Sequence, residues 1–172
     1  MGNQSSWTED FDGFFRQHFP AVARAAGLVV GSFHEGEEIA EESFVRLMAR
    51  WDRLESPEHA RNYVFKVALN LARSTLRRAR RLISLESSAE GLDPMTGPTE
   101  STGAVLDRAV IAAALRALNP TQRALVVMVD YVGYDTGAAA RLLRIPGSTA
   151  RVYLTRGRRR LREHLGYTSA EA

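Results

Sequence analysis

Lys66, Asn70, Arg73, Arg77 and Arg81 follow one another at spacings of 4, 3, 4 and 4 residues. At 100° per helical residue they fall within an arc of roughly 80°. Four cations and one amide, with no acid anywhere in residues 61–81, make a row suited to backbone phosphates. The amide adds a donor and an acceptor for a base edge. Arg78 flanks the row and His59 precedes it. A second set lies near the C-terminus. Ser148, Val152, Thr155 and Arg159 share one helical side, with Thr149 beside Ser148 in the first turn and Arg151, Arg156 and Arg162 at the edges. Arginine pairs bidentately with guanine, and small hydroxyls let a helix N-terminus approach a major groove.

A third set is acidic. Glu38, Glu41 and Glu42, with Val45 beside them, lie opposite an apolar face of Ala40, Phe44, Leu47, Met48 and Trp51. These carboxylates have no helix bearing a paired Glu and His to complete a metal site. His18, His34, His59 and His164 are scattered without ligand spacing, and the chain has no cysteine. No phosphate loop or Ser-His-Asp arrangement stands out. The expectation is therefore a binding protein, not an enzyme, with no metal and no cofactor.

Charge is segregated along the chain. Residues 1–60 balance at −6, residues 61–81 at +7, and residues 136–165 again at +7; residues 82–107 hold five acids and no base. Two basic blocks divided by an acidic stretch are the footprint of two contacts along one polyanion, behind a net charge of only +3. Of 23 basic residues Lys66 alone is lysine. No apolar run approaches the roughly 20 residues of a membrane span, and no signal-peptide pattern opens the chain, so a cytoplasmic protein is expected.

The elements that must position these residues read as helices throughout. The stretch 84–103 is rich in Ser, Thr, Gly, Pro and acid without a period, and a structureless stretch of that length argues for two domains joined by a linker. The 172-residue chain is thus expected to be all-α, with two small helical domains. The first spans 7–82, a flexible acidic linker 83–104, and the second 105–167.

In the first domain a helix is expected over 11–28, a break over Gly31 to Gly36, and a helix over 37–51. A third begins at Ser56-Pro57 and reaches about Arg81. It carries apolar stripes on two sides, which leaves the cationic row as one exposed ridge. The second domain opens with a helix over 105–117, followed by one started by Asn119-Pro120 and ended by Gly133. A short helix to Leu143, a turn of about four residues and a last helix from Ser148 to Leu165 have helix-turn-helix spacing.

Two blocks together resemble the extracytoplasmic-function class of bacterial sigma-70 factors. Residues 37–44 (EEIAEESF) look like that family's acidic core-binding helix, AED-x-x-QE-x-F. Residues 60–73 (ARNYVFKVALNLAR) with Arg77-Arg78 look like its −10 helix. The second block, 118–123 (LNPTQR) through 149–151 (TAR) to 156–161 (RGRRRL), is similar to its −35-reading domain. Glu38 and Glu41 stand where the family favours aspartate and glutamine, Tyr63 where it has tryptophan, and Ala138 where it commonly has glutamate. Arg144 stands where the turn usually has glycine. A non-glycine in a left-handed turn costs about 1 kcal/mol, which favours a reshaped turn.

The resemblance implies a sigma factor that binds core RNA polymerase and directs promoter-specific initiation. Glu38, Glu41, Glu42 and Val45 would meet the clamp helices of the largest subunit. Lys66, Asn70, Arg73, Arg77, Arg78 and Arg81 would hold melted −10 DNA, with His59 in a base pocket formed by 52–59. Ser148, Thr149, Arg151, Val152, Thr155, Arg156 and Arg159 would read the −35 element, on a domain seated on the flap of the second large subunit. The linker would thread the polymerase channels. Control by an anti-sigma factor, by synthesis or by proteolysis stays open. The rival reading is a stand-alone helix-turn-helix regulator, which leaves the cationic ridge without a purpose.

Overall fold

The computed structural model describes residues 10–85 and 110–166. The order is α1 (Phe11–Val30), α2 (Phe33–Met48), a 3₁₀ turn (Trp51–Arg53) and α3 (Pro57–Leu85). Then come α4 (110–116), α5 (Pro120–Val126) running into a π turn (Val127–Tyr131), α6 (Thr136–Leu143) and α7 (Gly147–His164). The described residues contain no strand. The remainder of the expected linker beyond Leu85, with residues 7–9 and 105–109, lies outside the described residues.

Local chemistry starts most of these helices. The Asp10 carboxylate accepts from the Gly13 N–H at 2.8 Å, and the Ser56 hydroxyl from the His59 N–H at 3.1 Å, ahead of Pro57. Asn119 and Gln122 form a reciprocal capping box around Pro120, and Asp135 caps α6 through the Ala138 N–H at 2.8 Å.

The break expected from Gly31 to Gly36 is shorter than that. Gly31 closes α1 in the left-handed conformation at φ 88°, and Ser32 caps α2 at once. Gly36 lies inside α2, where a Cβ would stand 2.6 Å from both the Ala23 carbonyl oxygen and the Gly27 nitrogen. It is a contact glycine, the place where α1 and α2 cross backbone to backbone.

Phe11, Phe14, Phe15 and Phe44 gather near Trp51; the Phe11 and Trp51 rings meet edge-on at 5.0 Å, and Phe15 and Phe44 at 4.9 Å. Met48, expected on this apolar face, is 58% exposed instead. The turn Trp51–Arg53 follows it and Trp51 alone swings inward. In the second half, Ala150, Leu154 and Gly157 of α7 are buried, and Gly157 lets α7 lie on Val126.

The two halves share one continuous apolar core. Buried Val22, Val29, Phe65 and Leu69 of the first belong to the same cluster as Leu118, Leu125, Met128 and Leu143 of the second. The Tyr134 ring meets Phe65 edge-on at 6.0 Å, and the Arg61 guanidinium lies over both rings at 5.2 and 4.9 Å. Burial raises the Tyr134 phenol above its ordinary value.

Candidate nucleic-acid interface

Helical phase brings the cationic row together on α3, but what it faces differs from the sequence expectation. Lys66, Asn70 and Arg73 are half-buried, while Arg77, Arg78 and Arg81 are exposed. The Asn70 amide donates to the Lys66 carbonyl at 2.7 Å and to the Leu142 carbonyl at 3.0 Å, and its oxygen accepts from Arg73 at 2.9 Å. Arg73 in turn donates to the Leu143 carbonyl at 3.0 Å, and Arg77 to the Thr121 hydroxyl at 3.2 Å. Burial, and then the neighbouring charge of Arg77, lower the Arg73 pKa from its usual value. The row expected to be an exposed ridge is thus partly covered by the end of α6. The reason is chemical: a helix C-terminus presents carbonyls with no partner in their own helix, and cations satisfy them.

Beside this contact lies a cleft of about 420 Å³ with Arg46, Lys66, Arg73, Arg77 and Arg144 in its wall. No carboxylate joins them. Arg46 and Arg144 come from α2 and from the turn after α6, and sequence spacing could not place them here. Arg144 keeps the left-handed conformation, φ 54° and ψ 50°, so the turn expected to be reshaped is retained with an arginine in the glycine position. His59 is exposed at the start of α3.

The outer face of α7 is open. Ser148, Arg151, Val152, Thr155, Arg156 and Arg159 are exposed and Thr149 is half-buried. The Thr155 hydroxyl bonds back to the Arg151 carbonyl at 3.0 Å, and Arg159 pairs loosely with Glu163 at 3.7 Å. Arg158, which phase alone assigns to the flank, is fastened to Asp130 by two bonds of 2.6 and 3.1 Å. That hydrogen bonding raises its pKa further. Its role is to tie α7 to the π turn.

Glu38, Glu41 and Glu42 are exposed along α2, with Val45 57% exposed beside them. Glu42 pairs with Arg46 at 2.8 Å and Glu38 with His34 at 3.5 Å. Both are helix-surface pairs. Inward-facing Ser43 is buried and satisfied by the Ile39 carbonyl at 2.6 Å. Acids outside, aromatics inside and an apolar step at Val45 and Met48 give this face a chemistry that a basic, partly apolar surface would complement.

Arg123 is the residue sequence reading passed over. It is 2% exposed, yet donates across to the Val29 carbonyl at 2.7 Å and to the Leu118 carbonyl at 3.4 Å. Burial, then the nearby charges of Arg80 and Arg116, push its pKa down to about 10. Nothing in local periodicity distinguishes it from a surface arginine.

Helical layout, segregated charge and an arginine-lined helix-turn-helix define a transcription protein, and comparison with known proteins places it. Sigma-70 region 2 matches residues 14–82, and sigma-70 region 4 matches residues 108–161. An RNA polymerase sigma-E factor of Streptomyces avermitilis is 30% identical over 156 residues, covering 91% of this chain and 85% of that protein. The sigma-E factor of Streptomyces coelicolor is 28% identical, covering 91% and 86%. The solved structure of the sigma factor RpoE with the anti-sigma factor NepR from Bartonella quintana superposes with a TM-score of 0.74. At 21% identity it covers 92% of this chain and 98% of that one, and it supports the all-α fold. The chain belongs to the extracytoplasmic-function class of the sigma-70 family. It is a sigma factor directing promoter-specific transcription by RNA polymerase. No described helix is long and apolar enough to cross a membrane.

Proposed function

We propose that the three surfaces divide initiation among them. The exposed face of α7, through Ser148, Thr149, Arg151, Val152, Thr155, Arg156 and Arg159, reads duplex −35 DNA. The α3 row of Lys66, Asn70, Arg73, Arg77, Arg78 and Arg81, with His59 at its start, holds the melted −10 strand. Glu38, Glu41, Glu42 and Val45 seat α2 on the clamp helices of the largest polymerase subunit, and the second domain rests on the flap of the other large subunit. In this reading the functional units are 7–82 and 105–167, joined by 83–104. The protein has no catalysis of its own and works in the cytoplasm, where core polymerase is found.

The observation that carries this is the contrast within α7. Ala150 and Leu154 are buried on one side, and Arg151 and Arg156 stand exposed on the other, without a carboxylate partner among the described residues. Guanidiniums left free beside small hydroxyls fit groove edges and phosphates. The solved relative bound to an anti-sigma factor supports a protein antagonist as the regulator here too.

Footprinting with and without purified core polymerase, beside run-off transcription, tests the reading. Specific protection is expected only with core enzyme present. Protection of one operator by the chain alone would instead identify a stand-alone regulator.

A further inference from the structure

We propose that the cleft between α2, α3 and the turn after α6 is a binding site for a nucleoside polyphosphate, held through its phosphate chain by the cations of the wall. The occupant is distinct from promoter DNA, and its binding does not rest on the assignment of α3 to the −10 element.

Three elements remote in sequence converge on the cleft. Arg46 comes from the last turn of α2, Lys66, Arg73 and Arg77 from α3, and Arg144 from the turn between α6 and α7. These cations are short of anions. Glu42, outside the wall, accepts from the Arg46 Nε at 2.8 Å. Lys66, Arg73, Arg77 and Arg144 have no carboxylate within 4.0 Å among the described residues. Arg73 and Arg77 donate only to neutral acceptors, the Leu143 carbonyl, the Asn70 amide oxygen and the Thr121 hydroxyl. Each guanidinium has five N–H groups, so donors remain for a ligand. Burial, then the charge of Arg77, lower the Arg73 pKa, as expected where like charges crowd without a counterion. A concave wall of one sign concentrates the field felt by an incoming anion.

Arg144 adds an independent sign. It is the one non-glycine residue at positive φ among the described residues. A side chain there carries a strain that glycine escapes, and such strain is kept where the residue is used. What it brings to the cleft is a guanidinium.

The wall also indicates the class of ligand. Five cations on three elements exceed what one phosphate neutralises and match a chain charged at every phosphate. Half-buried Val67 and Leu71 leave an apolar strip in the same wall, which suits the flat face of a base. The volume of about 420 Å³ falls within the roughly 300–1,000 Å³ of small-molecule sites. An occupant would engage Lys66, Arg73 and Arg77 and so exclude a −10 strand. That consequence alone depends on the assignment of α3.

Calorimetric titration of the full chain in metal-free buffer compares adenosine triphosphate, inorganic tripolyphosphate and sulfate at matched ionic strength. Adenosine triphosphate is expected to saturate a single site, tripolyphosphate to bind more weakly, and sulfate to give no saturable heat. Arg46→Gln and Arg144→Gly, tested separately, should each weaken the nucleotide about tenfold, as for one lost charge-assisted contact. Arg160→Ala removes the same charge at an exposed position outside the wall and should bind like the wild type. Arg144→Gly guards against misfolding, because glycine suits that backbone; a raised denaturant midpoint beside lost binding separates ligand contact from fold.

Wild-type affinity in both cleft variants would overturn the site, as would an equal loss in Arg160→Ala or a sulfate response matching the nucleotide's. Tripolyphosphate binding as tightly as the nucleotide would overturn the part given to Val67 and Leu71. Adenosine triphosphate should also displace a single-stranded −10 oligonucleotide from the wild type, and about tenfold less readily from Arg144→Gly. Saturable nucleotide binding without displacement would place the failure in the −10 assignment and leave the site standing.

Discussion

The α3 row and the outer face of α7 are built from the same material and meet different fates. Each is a helical stripe of arginines with a few small polar groups and no acid in its centre. On α3 the first three members of the stripe, Lys66, Asn70 and Arg73, are half-buried, and Asn70, Arg73 and Arg77 give donors to Leu142, Leu143 and Thr121. On α7 Arg151 and Arg156 are exposed, Arg158 at the margin is fastened to Asp130, and Arg159 pairs only loosely with Glu163. Charge on a helix states an appetite for anions. Which anion satisfies it depends on what the rest of the chain carries past.

A control should come first. Glu41→Arg with Glu42→Arg places cations on a face expected to meet a basic partner, where like charges cost several kcal/mol. Pull-down with core polymerase should fail, while the α3 row and the outer face of α7 stay intact in the isolated chain. The thermal midpoint should barely move, since exposed substitutions cost under about 0.5 kcal/mol and the Glu42–Arg46 pair is solvent-exposed.

Arg151→Glu with Arg156→Glu strikes the open face. Each lost base contact is worth about 1–3 kcal/mol, so −35-dependent binding by holoenzyme should drop at least tenfold with core binding retained. Parallel loss of polymerase pull-down would show that α7 does not divide its roles in this way.

Asn70→Ala probes the covered row. At its preferred base the loss should be on the order of 1–3 kcal/mol, seen as reduced permanganate reactivity of the melted region with closed-complex formation intact. An Arg77→Ala variant should instead flatten the salt dependence of binding for all promoters alike. If Asn70→Ala changes the salt slope and leaves melting unaltered, the two roles are reversed.

Arg144→Gly sharpens the contrast from between the two faces. The residue sits at φ 54° and ψ 50°, so glycine should stabilise the fold by about 1 kcal/mol, measured as a higher denaturant midpoint. It also removes one cation from the cleft beside α3.

The smallest effect concerns pH. His18 packs on Phe14 at 4.3 Å, and burial, followed by the charge of Arg61, lowers its pKa below 6.5. The unfolded chain therefore binds the proton more readily than the folded one. Stability is complete above pH 6.5 and declines as pH falls below it, levelling off once the folded-state pKa is passed. Thermal midpoints between pH 7.5 and 5.5 should slope downward, and His18→Gln should reduce that slope.

Much was legible in the residues because it depends on near neighbours. Ser56-Pro57 and Asn119-Pro120 start helices through contacts three residues away, and a period of 3.6 sorts Ala150 and Leu154 from Arg151 and Arg156. The acidic face of α2 follows from the same periodicity. Met48 departs from it because the chain turns at Trp51–Arg53 and ends the face early. Gly36 departs because helix crossing, not chain reversal, was its reason for having no side chain.

By itself, then, the sequence determined the helices, their caps, the segregation of charge and the family. Tertiary structure decided what each charge touches. Arg123 and Arg151 look alike along the chain, yet one is buried on the Val29 carbonyl and the other faces solvent. The physical reason is range. Capping and amphipathicity are set within a turn or two, whereas the bonds from Arg61, Asn70, Arg73 and Arg123 join residues about 70 to 94 positions apart. Their acceptors are backbone carbonyls, which every residue possesses and no side-chain pattern marks.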